Sequence, residues 1–141
     1  MIPVDLVGLV SKQTGNFLRN NPIEVDSVLD SLGVSLDSEF ADFYRRYKVS
    51  TFHSRTSNVE LLDILSPSQQ VSRATTFIHE VWELPNEWVC FSSTEGEGGF
   101  LYSTKTGEVF DFDLATRDEF LKGNSRAGWN GFFDFMTWYL S

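Results

Sequence analysis

The chain has a single cysteine, Cys90, among its 141 residues, so it can form no internal disulfide and a cysteine-based zinc site is excluded. Histidine is nearly as scarce. His53 and His79 stand far apart, and a metal site built on them would need further ligands from elsewhere in the fold. No apolar run approaches the roughly 20 residues of a membrane helix. The opening MIPVDLVGLV lacks a basic region, and Asp5 and Gly8 interrupt its apolar run, so no secretory leader is expected. A soluble protein of the reducing cytoplasm is the expectation.

Positive charge is also short. Eleven Lys and Arg face twenty Asp and Glu, for a net charge of −9. Between Glu80 and Glu119 ten acids meet only Lys105 and Arg117, which leaves a local charge of −8. Such a field repels phosphate backbones and counts against direct nucleic-acid binding. It attracts a basic protein partner and accelerates the encounter. A plainer role for the same acids is to keep a small protein in solution.

What is present is enough for one ordinary domain. Hydrophobic residues make up 41% of the chain, and a domain of this size buries about two-thirds of its unfolded surface. The first half has helical periodicity. Val25, Val28, Leu29 and Leu32 recur at helical spacing before a stop at Gly33. Leu36, Phe40, Phe43, Tyr44 and Tyr47 form a second stripe of about three turns, with Ser35 as candidate N-cap. Residues 4–19 are read as a further helix, weakened by Gly8 and Gly15. The middle changes period: a strand is expected over Asn58–Ile64, then a Ser66-Pro67 turn and a helix from Pro67 to about Phe77.

After a turn at Leu84-Pro85-Asn86, strands are expected over Trp88–Ser92, Gly99–Ser103 and Glu108–Leu114. The last two form a hairpin through Thr104–Gly107, with Gly107 at positive φ. Along the second arm, Phe110, Phe112 and Leu114 are expected to face the core, and Val109, Asp111 and Asp113 the other side, the aspartates in water. Asp118–Leu121 and Trp129–Leu140 read as closing helices, the latter with an apolar stripe wider than one packing face needs. The fold class is α+β: a mainly antiparallel sheet with helices before and after it.

The stretch SSTEGEGGFLYSTKTGEVFDFDL (Ser92–Leu114) invites chemical readings. A phosphate cradle at Gly96–Gly99 has the wrong electrostatics, because Glu95 and Glu97 flank the glycines and a strand follows. Paired-carboxylate hydrolysis needs two acids facing each other across a substrate. Glu95 and Glu97 share one turn instead, and Asp111 and Asp113 share one strand face. Oxygen ligands from these four acids would suit Ca²⁺, but their spacing fits no EF-hand loop. Cys90, between Val89 and Phe91, reads as a small buried hydrophobe, and His79 as a surface residue at a helix end. No catalytic residue, cofactor site or metal site is expected. A small carboxylate hydrolase would require Glu95 or Asp111 to sit in a cleft with a raised pKa.

The run from Trp88 to Tyr102, WVCFSSTEGEGGFLY, followed by Thr106-Gly-Glu-Val-Phe110, resembles the SMI1/KNR4 family, or SUKH superfamily. Upstream, Leu32–Leu36, Glu39–Tyr44 and Val59–Ile64 resemble its leading helices and first strand. Phe120-Leu121 and Trp129–Leu140 resemble its closing helices. One departure is Leu36-Asp37, where members often have Leu-Pro. The resemblance implies residues 23–141 as the family domain, with 1–22 as an N-terminal helical extension within one compact unit. It also implies that Gly96, Gly98 and Gly99 form a tight turn between strands.

Many bacterial members are immunity proteins that bind and neutralise a cognate toxin, often a nuclease of a contact-dependent or polymorphic toxin system. Fungal members act as intracellular regulatory or scaffold proteins, which is the alternative reading. The expected partner is a basic toxin domain, bound without catalysis by a monomer or homodimer. The candidate binding residues, taken from charge and strand facing, are Glu95, Glu97, Asp111, Asp113, Asp118 and Glu119, with Trp88 as an aromatic anchor.

Overall fold

A computed structural model describes residues 1–65 and 68–141. Its elements, in chain order, are α1 (Val4–Ser11), α2 (Pro22–Ser31), α3 (Glu39–Arg46) and α4 (Gln70–Glu80), then β1 (Trp88–Cys90), β2 (Gly98–Ser103) and β3 (Val109–Asp113), and finally α5 (Arg117–Leu121) and α6 (Phe132–Leu140). The strands form one antiparallel sheet in the order β1-β2-β3. This is the α+β class that the patterning implied.

Both faces of this small sheet are covered. Alternation along the strands turns Val89, Phe91, Phe100, Tyr102 and Val109 to one side, where they join α1, α2, α3 and α6 in the main core. Cys90, Leu101 and Phe112 turn to the other, beneath Ile78 and Trp82 from the α4 region and Phe120 of α5. Val109 is therefore fully buried, contrary to the expected polar face: its side of β3 enters the larger core, and Asp111 and Asp113 emerge where that core ends. Aromatic rings supply much of the packing. Phe40 of α3 lies 4.7 Å from Tyr102 of β2 and 4.8 Å from Phe132 of α6, centroid to centroid. In α6, Phe135 is fully buried, and Trp138 packs on Trp129 at 4.8 Å, so its wide apolar stripe lies largely within the fold.

Several helices are shorter than their periodicity suggests. The first ends at Ser11, and Gly15 at φ +93 begins a different path in which Leu18 bridges to Tyr47. The expected three-turn helix begins later, at Glu39. Ser38 accepts a hydrogen bond from the Ala41 N–H and is its cap, whereas Ser35 accepts from the Asp37 N–H in the preceding turn. The α4 helix runs from Gln70 to Glu80, later than expected, and the Ser66-Pro67 turn lies outside the described residues. Trp129 precedes α6 and bridges to Val109.

The strand expected at 58–64 is absent as a regular element. That segment runs beside the chain following β1 through a single bridge, Leu61 to Ser92, with flanking bonds Leu62 N–H to Phe91 O (2.9 Å) and Ser93 N–H to Glu60 O (2.8 Å). Pairing stops at Asp63, whose buried carboxylate receives Arg19 at 2.8 and 3.0 Å and the Val49 and Leu65 N–H groups at 3.2 Å. None of the helices described is long and apolar enough to cross a membrane.

Candidate functional site

Register decides where the acidic residues meet. Gly98 pairs with Asp113 and Phe100 with Asp111, so the end of β3 lies beside the 3₁₀ turn Glu95–Glu97 that leads into β2. Glu95 and Glu97, on the turn, and Asp111 and Asp113, on the strand, thus lie at the same open end of the β2–β3 pair, away from the Thr104–Gly107 turn. All four are exposed, and none makes an ion pair among the described residues.

Short polar contacts hold this end in shape. The Ser92 hydroxyl accepts from the Phe100 N–H at 2.7 Å and donates to Ser93 O at 3.0 Å. Ser93 Oγ accepts from the Glu95 N–H, and Asp113 Oδ1 accepts from the Ala115 N–H. Gly96 has φ +73 and Glu97 has φ +61, a left-handed conformation that is uncommon and costly for a residue with a side chain. Gly98 and Gly99 are extended strand residues, so only Gly96 serves the turn as expected. What constrains the other two is close approach: a Cβ on Gly98 would lie 2.7 Å from Phe112 O, and one on Gly99 3.0 Å from Ser92 Oγ.

Asp111 has a raised pKa, chiefly because partial burial disfavours its charge and secondarily through repulsion from Asp113. It nevertheless stands on an exposed strand. Cys90 is buried, its thiol pushed up to about 11 by burial and donating to Ser92 O. Among the described residues, no three His, Cys, Asp or Glu side chains converge closely enough to hold a metal ion.

Asp118 and Glu119 are also exposed, but α5 sits on the other face of the sheet and each acid has local partners. Asp118 lies 3.4 Å from Arg117; Glu119 lies 3.9 Å from Lys122 and accepts from Asn124. Trp88 is not brought to this group. It pairs with Ser103 at the far end of the sheet, five residues or about 17 Å along β2 from Gly98. There it is half-buried between Phe110 and Phe120, at 5.1 and 4.6 Å, closing the second core cluster. His79, read as a surface residue, is half-buried and its Nε2 lies 2.8 Å from Trp88 O, tying α4 to β1.

Sequence reasoning missed a groove of about 550 Å³ beside the acidic end. Leu62, Ala74 and Phe77 line it with Arg73, and Glu60 and Glu95 contribute carboxylates. The helical spacing of Arg73, Ala74 and Phe77 was legible, but nothing local indicated that Glu60 would come near Glu95.

These observations define the protein first as a small α+β domain, its single sheet packed by helices on both sides and its loops strongly acidic at one end. The sequence profile of the SMI1/KNR4 family (SUKH-1) matches residues 21–138, and the chain belongs to that family. No curated protein and no solved structure gave a significant match.

Proposed function

We propose that this protein is an immunity protein that holds a cognate basic toxin domain, of the nuclease kind, against its acidic end and blocks it without performing chemistry. The observation that carries this reading is that Glu95 and Glu97, on a turn fixed by Ser92 and Ser93, and Asp111 and Asp113, on the neighbouring end of β3, are all exposed and make no ion pair among the described residues. Like charges held together on a preorganised surface repel one another, and a cationic partner relieves that repulsion while gaining speed of encounter. The neighbouring groove, with Phe77 in its lining, offers an apolar seat next to the charges. Family membership supports a binding role, and action in the cytoplasm completes the proposal.

Affinity capture with the tagged protein from its native host, repeated across a salt series, tests it. The expected result is one basic toxin domain whose retention weakens as salt rises and is lost in an Asp111→Lys/Asp113→Lys variant. Capture only of signalling or envelope proteins would favour the regulatory alternative. Capture of a toxin unaffected by that variant would move the interface elsewhere.

A further inference from the structure

The two outer edges of the sheet are treated differently. That of β1 is closed: the Cys90 N–H donates to Thr75 Oγ1 at 3.0 Å, Trp88 O meets His79 Nε2, and the chain beyond is covered by residues 60–62. That of β3 is closed only at its start. Val109 exchanges bonds with Trp129 at 3.0 and 3.1 Å and also accepts from the Gly128 N–H, and residues 124–127 make no further backbone bond to β3 among the described residues.

Antiparallel strands alternate inward and outward backbone groups. Since Val109 bonds outward, Asp111 and Asp113 present theirs outward too, while Phe110 and Phe112 bond to β2. Asp113 O accepts from Thr116 Oγ1, but the N–H and C=O of Asp111 and the N–H of Asp113 have no hydrogen-bond partner among the described residues. This rung of edge is short and its two side chains are exposed, with Gly128 passing near its start, where a Cβ would lie 4.0 Å from Asp111 N. Its two side chains, two residues apart on one face, are both carboxylates, with Glu97 next to the Gly98 that pairs with Asp113.

We infer that the outer edge of β3 at Asp111–Asp113 is a docking edge for an extended, basic segment of a partner protein, added as a fourth strand with Lys or Arg at alternate positions. This inference rests on the proposed acidic binding surface and specifies how that surface is used. Backbone bonding supplies the outward N–H and C=O with partners. Cross-strand cations would stand about 5 Å from the two aspartates, close enough to favour their ionised forms. Charges on an edge also serve to discourage aggregation. One charge would suffice for that, whereas two adjacent carboxylates, one held against burial and repulsion, are unfavourable until a cation arrives.

The test uses the full ¹⁵N-labelled chain and a capped octapeptide of alternating Lys and Thr, compared with the same peptide N-methylated at alternate residues. The expected result is binding of the first peptide with amide exchange at Asp111 and Asp113 slowed at least about tenfold, and loss of that protection with the second. Equal, salt-sensitive binding of both peptides would refute strand addition while leaving the acidic surface as a cation-attracting site. Failure of both to bind would overturn the inference and the surface on which it rests. An Asp111→Pro variant provides a check from the protein side. It removes an N–H that the sheet does not use, and it should weaken binding beyond the Asp111→Asn variant, which keeps that N–H.

Discussion

Replacing Arg19 by Met should cost this protein a large part of its stability, although Arg19 lies outside the family match. The Arg19 side chain is 3% exposed and that of Asp63 0%. The guanidinium gives two bonds to Asp63, at 2.8 and 3.0 Å, and one each to Tyr44 O and Tyr47 O at 2.9 Å, tying carbonyls at the end of α3 to the 61–65 segment. Methionine keeps the bulk but removes the cation that neutralises a buried carboxylate. Breaking a buried pair from one side typically costs about 3–5 kcal/mol, against a total stability of about 5–15 kcal/mol. Urea unfolding followed by tryptophan fluorescence would measure the loss as a lower midpoint at unchanged slope. The double variant Arg19→Met/Asp63→Leu should recover much of it, because no uncompensated charge remains. A loss below about 1 kcal/mol for the single variant, or simple additivity in the double, would refute the reasoning. A chain beginning at residue 21 should be weaker still, since it also loses the buried Ile2, Leu6 and Val10.

Gly98→Ala should destabilise by about 1–3 kcal/mol, because its Cβ would meet the Phe112 carbonyl of the neighbouring strand; Gly8→Ala, inside α1 with open space around it, should stabilise by about 0.5–1 kcal/mol, both read by thermal melts. Asp111 binds its proton more tightly folded than unfolded, so its contribution to stability falls as pH rises from about 4 through its raised folded value. Asp111→Asn should therefore raise Tm at pH 7 and not at pH 3; equal shifts at both would contradict this. The Cys90 thiol, buried and pushed up to about 11, should resist alkylation in the folded protein at pH 8 and react at the rate of global unfolding, as mass spectrometry of a denaturant series would show.

Local pattern carried the fold a long way. The stripe of Val25, Val28 and Leu29 became the buried side of α2, and Gly107 took φ +80 in the expected β2–β3 hairpin. What local pattern could not decide was competition between near-equal neighbours and contacts across long separations. Ser35 and Ser38 both suit a cap, and the choice depends on where α3 meets α6: Glu39 follows Ser38, and its Oε1 accepts from the Phe133 N–H at 3.0 Å. The 58–64 run has strand character, yet Asp63 turns inward to an arginine 44 residues away. The acidic residues were visible one by one. Their division between the sheet end, where Gly98 pairs with Asp113, and the locally paired α5 followed only from register and ion pairing.

The two aromatic clusters that clamp the sheet also separate two kinds of sequence freedom. Phe40, Phe91, Phe132 and Phe135 are joined in a chain of ring contacts with centroids 4.8–5.8 Å apart, so a change at any of them disturbs its neighbours. The carboxylates at Glu95, Asp111 and Asp113 are exposed, and their replacement leaves those rings in place. The molecule can therefore exchange the charge pattern it offers to its surroundings without refolding its interior. In this respect it behaves as a fixed mount with an interchangeable face.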